Sequence, residues 1–158
     1  MNLDEILHVG IITVNEEILF NSKFQPFIKS WKAEESVMGK ITPSTVENAP
    51  RFSSSANEIK NIIGSASTIV CYNPDYVLGF LRNHGILPSP NATINNMIQD
   101  FADSYPHREW NDFYGGYQYQ PLRTAAKYYR YDWESHPNDE MANAFAINYV
   151  YQRMYCKN

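Results

Sequence analysis

The side chains best suited to metal or acid–base chemistry lie in two short stretches of the sequence. In one stretch Asp75 lies two residues before Val77, and in the other Asp139 lies four residues before Asn143. On a helix, a spacing of four places Asp139 and Asn143 on the same face, one turn apart. Hard cations such as Mg²⁺ need several carboxylate oxygens, whereas an Asn carboxamide offers one neutral oxygen. Neither stretch therefore provides a complete metal site.

Both aspartates have a simpler interpretation, which we favour. Asp139 and its neighbour Glu140 can complement the N-terminus of a helix, and Asp75 can do the same after Asn73. The four histidines share no spacing typical of metal ligands, and the two cysteines form no Cys-x-x-Cys motif. The alternative, in which Asp75 and Asp139 are relocated catalytic acids, stays open.

Three strands are predicted to position these residues. Residues 6–14 are β-branched and largely apolar, which predicts a strand buried on both faces. A second strand is predicted at residues 18–27, with a turn at residues 15–17 between the two. Residues 67–72 form a short apolar run of strand length that leads directly into the first of the two polar stretches.

Helices dominate the second half of the chain. The predicted helices cover residues 56–63, 74–83, 93–101, 122–129 and 139–155. The serines at 53–55 are expected to cap the first helix and Gly64 to end it. Residues 104–121 are rich in Tyr, Gly and Pro and are predicted to form a loop. The class is α/β, and residues 1–158 are expected to form a single domain.

Composition and charge limit the kinds of function that we expect for this chain. Hydrophobic residues make up 44% of the chain and aromatic residues 15%, which is typical of a folded protein with a real core. The net charge of -4 repels phosphate, so bulk charge gives nucleic-acid binding no support. No targeting pattern and no apolar stretch near the ~20 residues that span a bilayer is visible. We therefore expect a cytoplasmic protein that does not insert into a membrane.

Four stretches, in order, resemble the DnaQ-like (DEDD-type) 3'–5' exonucleases. Residues 36–52 (SVMGKITPSTVENAPRF) and 68–85 (TIVCYNPDYVLGFLRNHG) resemble the segment before the family's first helix and its second motif. Residues 109–133 and 137–154 (PNDEMANAFAINYVYQRM) resemble the approach to the third motif and the third-motif helix. The resemblance implies an RNase H-like mixed sheet flanked by helices.

The resemblance also implies where a catalytic site would be, and this sequence departs from it. Family members use two divalent cations, Mg²⁺ or Mn²⁺, held by four acids, with a His or Tyr as general base. If Asn73 sets the register of the second motif, Tyr76 takes an aromatic position and Val77 that of a metal-binding Asp. In the third motif, Asn138 takes the position of the base and Asn143 that of the last Asp.

The family's first motif, D-x-E on its first strand, has no counterpart. Residues 4–10 resemble the strand that follows this motif, so the two acids would lie ahead of Met1. A sheet without its central strand has two unpaired edges, which is costly. We therefore expect a remodelled sheet, or a strand lent by a second copy in a homodimer or by another protein. An intact monomeric family sheet would rule both out. A third alternative is that the chain is a truncated product of a longer gene.

These departures predict a catalytically inactive exonuclease-like domain that acts as a binding or inhibitory module and needs no cofactor. The alternative is residual metal-dependent 3'–5' exonuclease activity on single-stranded DNA or RNA through the relocated acids or a partner's acids. One candidate surface is the cleft in which the resembled family binds nucleic acid. In this chain it would lie near Asn73, Val77, Asn96, Asn138 and Asn143.

An aromatic patch is the other candidate surface, and we expect about half of its rings to serve packing instead. Its exposed rings would contact a protein partner or stack on single-stranded bases, and the acidic net charge favours protein. The aromatic residues concerned are Tyr105, Phe113, Tyr114, Tyr117, Tyr119, Tyr128, Tyr129, Tyr131 and Trp133.

Overall fold

The computed structural model describes residues 5–28, 41–113, 115–135 and 141–156. Its strands are β1 (His8–Ile12), β2 (Ile18–Lys23), β3 (Thr68–Cys71), β4 (Thr93–Asn96), β5 (Trp110–Asn111) and β6 (Gly116–Tyr117). Its α-helices are α1 (Pro43–Val46), α2 (Phe52–Ser65), α3 (Pro74–Asn83), α4 (Met97–Ser104), α5 (Leu122–Tyr128) and α6 (Ala142–Tyr155). A 3₁₀ turn covers Trp133–Ser135. The chain is therefore α/β, as predicted.

The strands of the described residues form three separate two-stranded sheets. β1 pairs with β2 in antiparallel fashion, β3 pairs with β4 in parallel, and β5 pairs with β6 in antiparallel fashion. A parallel pair needs a crossover, which α3 and the segment after it provide. The described residues thus form no intact family-type sheet, so the expectation of a remodelled sheet is not overturned.

The β1–β2 hairpin confirms the predicted turn, although both strands are shorter than predicted. The N–H of Thr13 donates to the carbonyl oxygen of Glu17 at 2.9 Å, which closes the hairpin. Glu16 takes a positive φ of 67°, the backbone conformation that a tight turn requires. The register shifts between Ile11 and Ile12, so the pairing there is irregular.

Helix α2 begins earlier than the serine-rich stretch predicted. Its N-cap is Arg51, which makes no side-chain capping bond, and the serines at 53–55 lie inside the first turn. The Ser54 hydroxyl donates back to the carbonyl oxygen of Arg51 at 2.7 Å. The predicted serine cap is therefore wrong, and the helix also continues through Gly64 to Ser65.

The helix predicted at residues 93–101 is wrong in its first half. Thr93–Asn96 form β4, and the helix begins only at Met97. The N–H of Thr93 donates to the carbonyl oxygen of Ser67 at 2.9 Å, and the strands then run in register as far as Asn96. Parallel pairing with a distant strand thus outweighed the local pattern of apolar residues.

The predicted loop at residues 104–121 contains the short β5–β6 hairpin. The rings of Trp110 and Tyr117 meet edge to face across it, with centroids 5.3 Å apart. The remaining helices lie near their predicted positions, except that residues 139 and 140 of the last predicted helix fall outside the described residues. No helix of the described residues combines the length and hydropathy needed to cross a membrane.

Two clusters of buried side chains form the core. Cluster 1 consists of Phe20, Phe24, Phe52, Ile59, Ile63, Ile69, Cys71, Leu78, Leu81 and Ile86. Cluster 2 consists of Tyr72, Met97, Phe101, Ala125, Ala126, Tyr131, Met141, Phe145, Ala146 and Val150. Ile69 and Cys71 of β3 belong to cluster 1, whereas Val70 and Tyr72 pack on cluster 2. The strands therefore form a layer with a cluster on each face.

Strand β1 is less buried than predicted. Val9 and Ile11 pack against cluster 1, and Ile12 packs against cluster 2, so both faces have neighbours. All residues of His8–Ile12 are nevertheless only partly buried. The expectation of a strand buried on both faces is therefore wrong, because one long edge of β1 has no neighbouring strand among the described residues.

Candidate functional site

The first candidate residues lie where β3 ends and α3 begins. The Asn73 side chain caps the helix, because its Oδ1 accepts a hydrogen bond from the N–H of Tyr76 at 3.2 Å. Pro74 occupies the first turn, where the missing N–H costs nothing. Asp75 lies exposed in the same turn, where its negative charge complements the helix dipole. Local helix formation thus explains each of these residue types.

The next two positions face solvent. Tyr76 is 65% exposed and Val77 is 40% exposed. The ring of Tyr76 contacts the ring of Phe80 at a centroid distance of 4.9 Å. Val77 carries a hydrocarbon side chain with no atom able to coordinate a cation or to exchange a proton. This turn therefore presents an aromatic and an aliphatic surface to any ligand.

Asn143 lies exposed in the first turn of α6. Met141, two residues before Asn143, is fully buried in cluster 2, which also contains Tyr72 next to Asn73. The two candidate asparagines, Asn73 and Asn143, therefore lie close in sequence to residues of the same cluster. Asn138 and Asp139 lie outside the described residues.

The carboxyl end of β4 carries a pair of asparagines, Asn95 and Asn96. The Oδ1 atom of each is buried and has no hydrogen-bond partner among the described residues. Buried polar atoms normally have a partner, so two adjacent exceptions are unusual. Asn96 was predicted to lie near the cleft, whereas Asn95 was missed because residues 93–101 were interpreted as a helix. Asn73 lies two residues after β3, and Asn96 is the last residue of the neighbouring parallel strand β4. Both therefore lie at the carboxyl end of this pair, the edge at which ligands bind in many α/β proteins.

The donor set at this edge does not fit a two-metal centre. The Oδ1 of Asn73 already accepts the capping bond, Val77 has no donor, and Asn143 offers a neutral amide. Among residues 5–28, 41–113, 115–135 and 141–156, no group of three or more His, Cys, Asp and Glu side chains lies close enough to hold a metal.

A second candidate site lies around the β5–β6 hairpin. Four large aromatic side chains within residues 110–128 are exposed, and we call them together the hairpin aromatic surface. Its members are Trp110, Phe113, Tyr119 and Tyr128, exposed by 58%, 89%, 53% and 46%. Trp110 was not among the predicted patch residues, because nothing in the sequence pattern indicates that its side chain is exposed.

The other aromatic residues of the predicted patch serve packing. Tyr131 is buried, and Tyr105, Tyr117, Tyr129 and Trp133 are partly buried. Tyr114 lies outside the described residues.

Contacts with the core hold the hairpin aromatic surface in place. The Tyr119 hydroxyl donates to Oε1 of Gln99 on α4 at 2.7 Å. The ring of Tyr128 contacts that of the fully buried Phe101 at a centroid distance of 5.8 Å. The Arg108 guanidinium lies 4.6 Å from the centroid of Tyr117, beside Trp110. Tyr119 and Tyr128 are therefore held by contacts with α4.

Burial raises the pKa of several titratable side chains. Burial raises the pKa of the Cys71 thiol to about 11, so this cysteine is a poor nucleophile. Burial also raises the pKa of the Tyr72 hydroxyl, which donates to the carbonyl oxygen of Gln120 at 2.7 Å. Burial and a hydrogen bond to the Asp100 carboxylate raise the pKa of Tyr155. These shifts favour the neutral forms, as in structural rather than catalytic groups.

Comparison of the chain with known protein families, curated proteins and solved structures finds no match. The resemblance to DnaQ-like exonucleases therefore depends on the motif residues of this chain alone.

Proposed function

We propose that this chain is a catalytically inactive exonuclease-like domain that acts as a binding module for another protein. The proposal depends on one observation, which is that uncharged side chains occupy the positions where the resembled family has acids. Val77 replaces one carboxylate with an isopropyl group, and Asn143 replaces another with an amide. Two divalent cations a few ångströms apart repel each other and need several negative oxygens to hold them.

The order of elements supports an RNase H-like fold as part of the proposal. An antiparallel hairpin (β1–β2) precedes a parallel pair (β3–β4), and helices pack on both faces of these strands.

The hairpin aromatic surface supports a protein as the ligand. Exposed Trp and Tyr side chains on a packed base are typical of interface hot spots. Asp103, Glu109 and Asp112 lie in the same stretch of sequence and repel phosphate groups. Single-stranded nucleic acid is the second candidate ligand, because bases stack on the same exposed rings.

A nuclease assay tests the loss of catalysis. Labelled single-stranded DNA and RNA are incubated with the protein in Mg²⁺ and separately in Mn²⁺, with an active DnaQ-like exonuclease as the positive control. We expect the substrates to stay intact. Steady 3'–5' degradation that is lost in Asp139→Ala or in Asp75→Ala would contradict the proposal and support relocated acids.

A matched pair of variants tests the binding surface. Trp110→Ala combined with Phe113→Ala removes the two most exposed rings, whereas Leu87→Ala removes a side chain that is 54% exposed elsewhere. Affinity purification with each variant as bait should lose its specific protein partner only with the double variant. Fluorescence anisotropy with labelled single-stranded DNA tests nucleic acid, the second candidate ligand. Tight binding that the double variant abolishes would identify nucleic acid as the ligand.

A further inference from the structure

Arginine side chains lie over aromatic rings at four places on the described part of the molecule. The guanidinium carbon lies between 4.3 and 5.4 Å from the ring centroid in these pairs. A planar guanidinium stacks on the electron-rich face of a ring, and the contact is favourable even at exposed sites. Stacking of arginine on aromatic rings is therefore a recurrent feature of this protein. The pairs are Arg51 with Phe27, Arg108 with Tyr117, Arg123 with Trp133 and Arg153 with Tyr149.

Trp110 has no cation over its ring among the described residues, although it is 58% exposed. The indole ring binds a cation better than the rings of Tyr and Phe do. We propose that Trp110 binds an arginine side chain of a partner protein, so that the partner segment at the hairpin aromatic surface is basic. This inference rests on the proposed protein-binding function and adds the chemistry of the partner.

Two exposed carboxylates lie within two residues of Trp110 along the chain. They belong to Glu109 and Asp112, and neither takes part in a hydrogen bond or an ion pair among the described residues. Arginine binds a carboxylate through two parallel N–H donors, and such charge-assisted bonds are stronger than bonds between neutral groups. An arginine over the indole can therefore also pair with a carboxylate next to it in the chain.

Arg108, the cation nearest to Trp110 in sequence, already has partners of its own. Its guanidinium donates to the carbonyl oxygen of Asp103 at 2.7 Å and lies 4.6 Å from the ring centroid of Tyr117. Residues 103–119 contain no other Lys or Arg, whereas they contain three carboxylate side chains. The net negative charge of this segment attracts a basic partner and repels an acidic one.

Hydrogen bonds fix the backbone of the hairpin that carries these groups. The N–H of Gln118 donates to the carbonyl oxygen of Glu109 at 2.8 Å, and the N–H of Gly115 donates to that of Asn111 at 3.0 Å. The Asn111 side chain also accepts from the N–H of Phe113 at 3.0 Å. A partner therefore meets a backbone that is already in place, and less conformational entropy is lost on binding.

The remaining residues of the same molecule do not supply the arginine. All six arginines of residues 1–158 lie among the described residues, and none of them lies over Trp110. Residues 29–40 and 136–140, which lie outside the described ranges, contain no arginine. The arginine therefore comes from outside these 158 residues, and the proposed binding function names a partner protein as its source.

The test is an NMR titration of the ¹⁵N-labelled protein with the blocked peptide Gly-Arg-Gly-Arg-Gly-Arg-Gly. We expect saturable shifts of the indole N–H of Trp110 and of the amides of residues 109–113, with no shift at Leu87. The same peptide with citrulline in place of arginine keeps the side-chain shape but carries no charge. It should bind at least about tenfold more weakly, because the ring and the carboxylates both lose their cation.

Matched variants separate this contact from general attraction to an acidic protein. Glu109→Gln combined with Asp112→Asn removes both local charges and should weaken binding of the arginine peptide about fivefold. Glu47→Gln combined with Glu58→Gln removes two charges from exposed residues outside the hairpin and should leave the affinity unchanged. Trp110→Leu keeps an apolar side chain but removes the aromatic ring, and it should also weaken binding.

Three results of the titration would overturn the inference. One is the absence of a shift at Trp110 with the arginine peptide, which also results if another part of the protein covers this ring. Another is equal affinity for the arginine and citrulline peptides. The third is tighter binding of single-stranded DNA than of the arginine peptide at the same indole.

Failure of this inference is distinguishable from failure of the proposed function. We expect the specific protein partner to be lost both with Trp110→Ala and Phe113→Ala and with the charge-neutral pair at Glu109 and Asp112. If only the ring variant loses the partner, the binding function stands and the basic partner is wrong. If both variants keep the partner, the hairpin aromatic surface itself is wrong as the binding surface.

Discussion

Cluster 1 and cluster 2 cover opposite faces of the same strands but are built from different chemistry. Cluster 1 consists of Phe, Ile and Leu with the thiol of Cys71, and burial alone accounts for its stability. Cluster 2 contains the buried hydroxyl-bearing side chains of Tyr72 and Tyr131, and Asn148 is buried beside it. Asn96 and Asn143 lie close in sequence to residues of the cluster 2 face, whereas Val77 lies on α3, whose buried residues Leu78 and Leu81 pack in cluster 1.

The polar groups of the cluster 2 side depend on backbone partners from distant segments. The Tyr72 hydroxyl donates to Gln120, and the Asn148 side-chain amide donates to the carbonyl oxygen of Val14 at 3.2 Å. Each such bond joins segments that are far apart in sequence. This face therefore forms only when several elements are in place, whereas cluster 1 can form by less specific packing.

The largest predicted effect tests whether the two faces stabilise one domain. Phe24 of cluster 1 and Phe101 of cluster 2 are both fully buried. Phe24→Ala and Phe101→Ala should each lower the free energy of unfolding by about 3–5 kcal/mol, because each leaves a cavity. Urea denaturation followed by circular dichroism and by tryptophan fluorescence measures both. The two probes should report a single transition in every variant; separate transitions would show that the clusters unfold independently.

The next prediction concerns the hydrogen bond that distinguishes cluster 2. Tyr72→Phe keeps the ring but leaves the Gln120 carbonyl without its donor, which should cost about 1–2 kcal/mol. Tyr76→Phe, at a position 65% exposed, is the matched control and should not change stability. Equal stability of both variants in urea denaturation would show that the buried hydroxyl contributes nothing.

Ionisation of the same hydroxyl should lower the free energy of unfolding at alkaline pH. Burial raises the pKa of Tyr72 in the folded state, whereas the pKa of an unfolded Tyr is about 10. The unfolded state therefore loses its proton first, so this contribution is complete below about pH 10 and is lost as pH rises further. Tyr72→Phe should weaken the fall in stability above that pH. A parallel fall in both proteins would contradict the assignment.

The smallest predicted effects concern the turn that begins α3. Asn73→Ala removes the helix cap and should cost about 1 kcal/mol. Asp75→Ala should cost less, because the exposed carboxylate only complements the helix dipole. Thermal denaturation at low and high salt separates the two, since salt screens the contribution of Asp75 and leaves that of Asn73. A larger loss for Asp75→Ala would point to an unrecognised role of its carboxylate.

Sequence patterns predicted the elements that depend on local chemistry. The helix at Pro74–Asn83 and the turn that contains Glu16 are confirmed, because proline, asparagine and turn residues mark them directly. Strand β4 was missed, because its pairing with β3 is decided by tertiary contacts between distant residues. The partial burial of β1 could not be predicted either, since it depends on which strands fail to pair.

At the candidate sites too, some features follow from residue type and others only from the packed structure. The residue types at Val77 and Asn143 predict weak metal binding, and this stays a prediction. The exposure of Trp110 depends on the packed structure, and so does the burial of the Asn95 and Asn96 side-chain oxygens without a partner among the described residues. No spacing in the sequence indicates either feature.

Titration with Mn²⁺ in the presence of a mononucleotide tests the central claim most directly. Electron paramagnetic resonance distinguishes free from bound Mn²⁺, and broadening of the amide signals of Val77 and Asn143 would locate a bound ion. We predict no saturable binding and no selective broadening at these residues. Two Mn²⁺ ions bound per chain, with both lost in Asp139→Ala, would contradict the account.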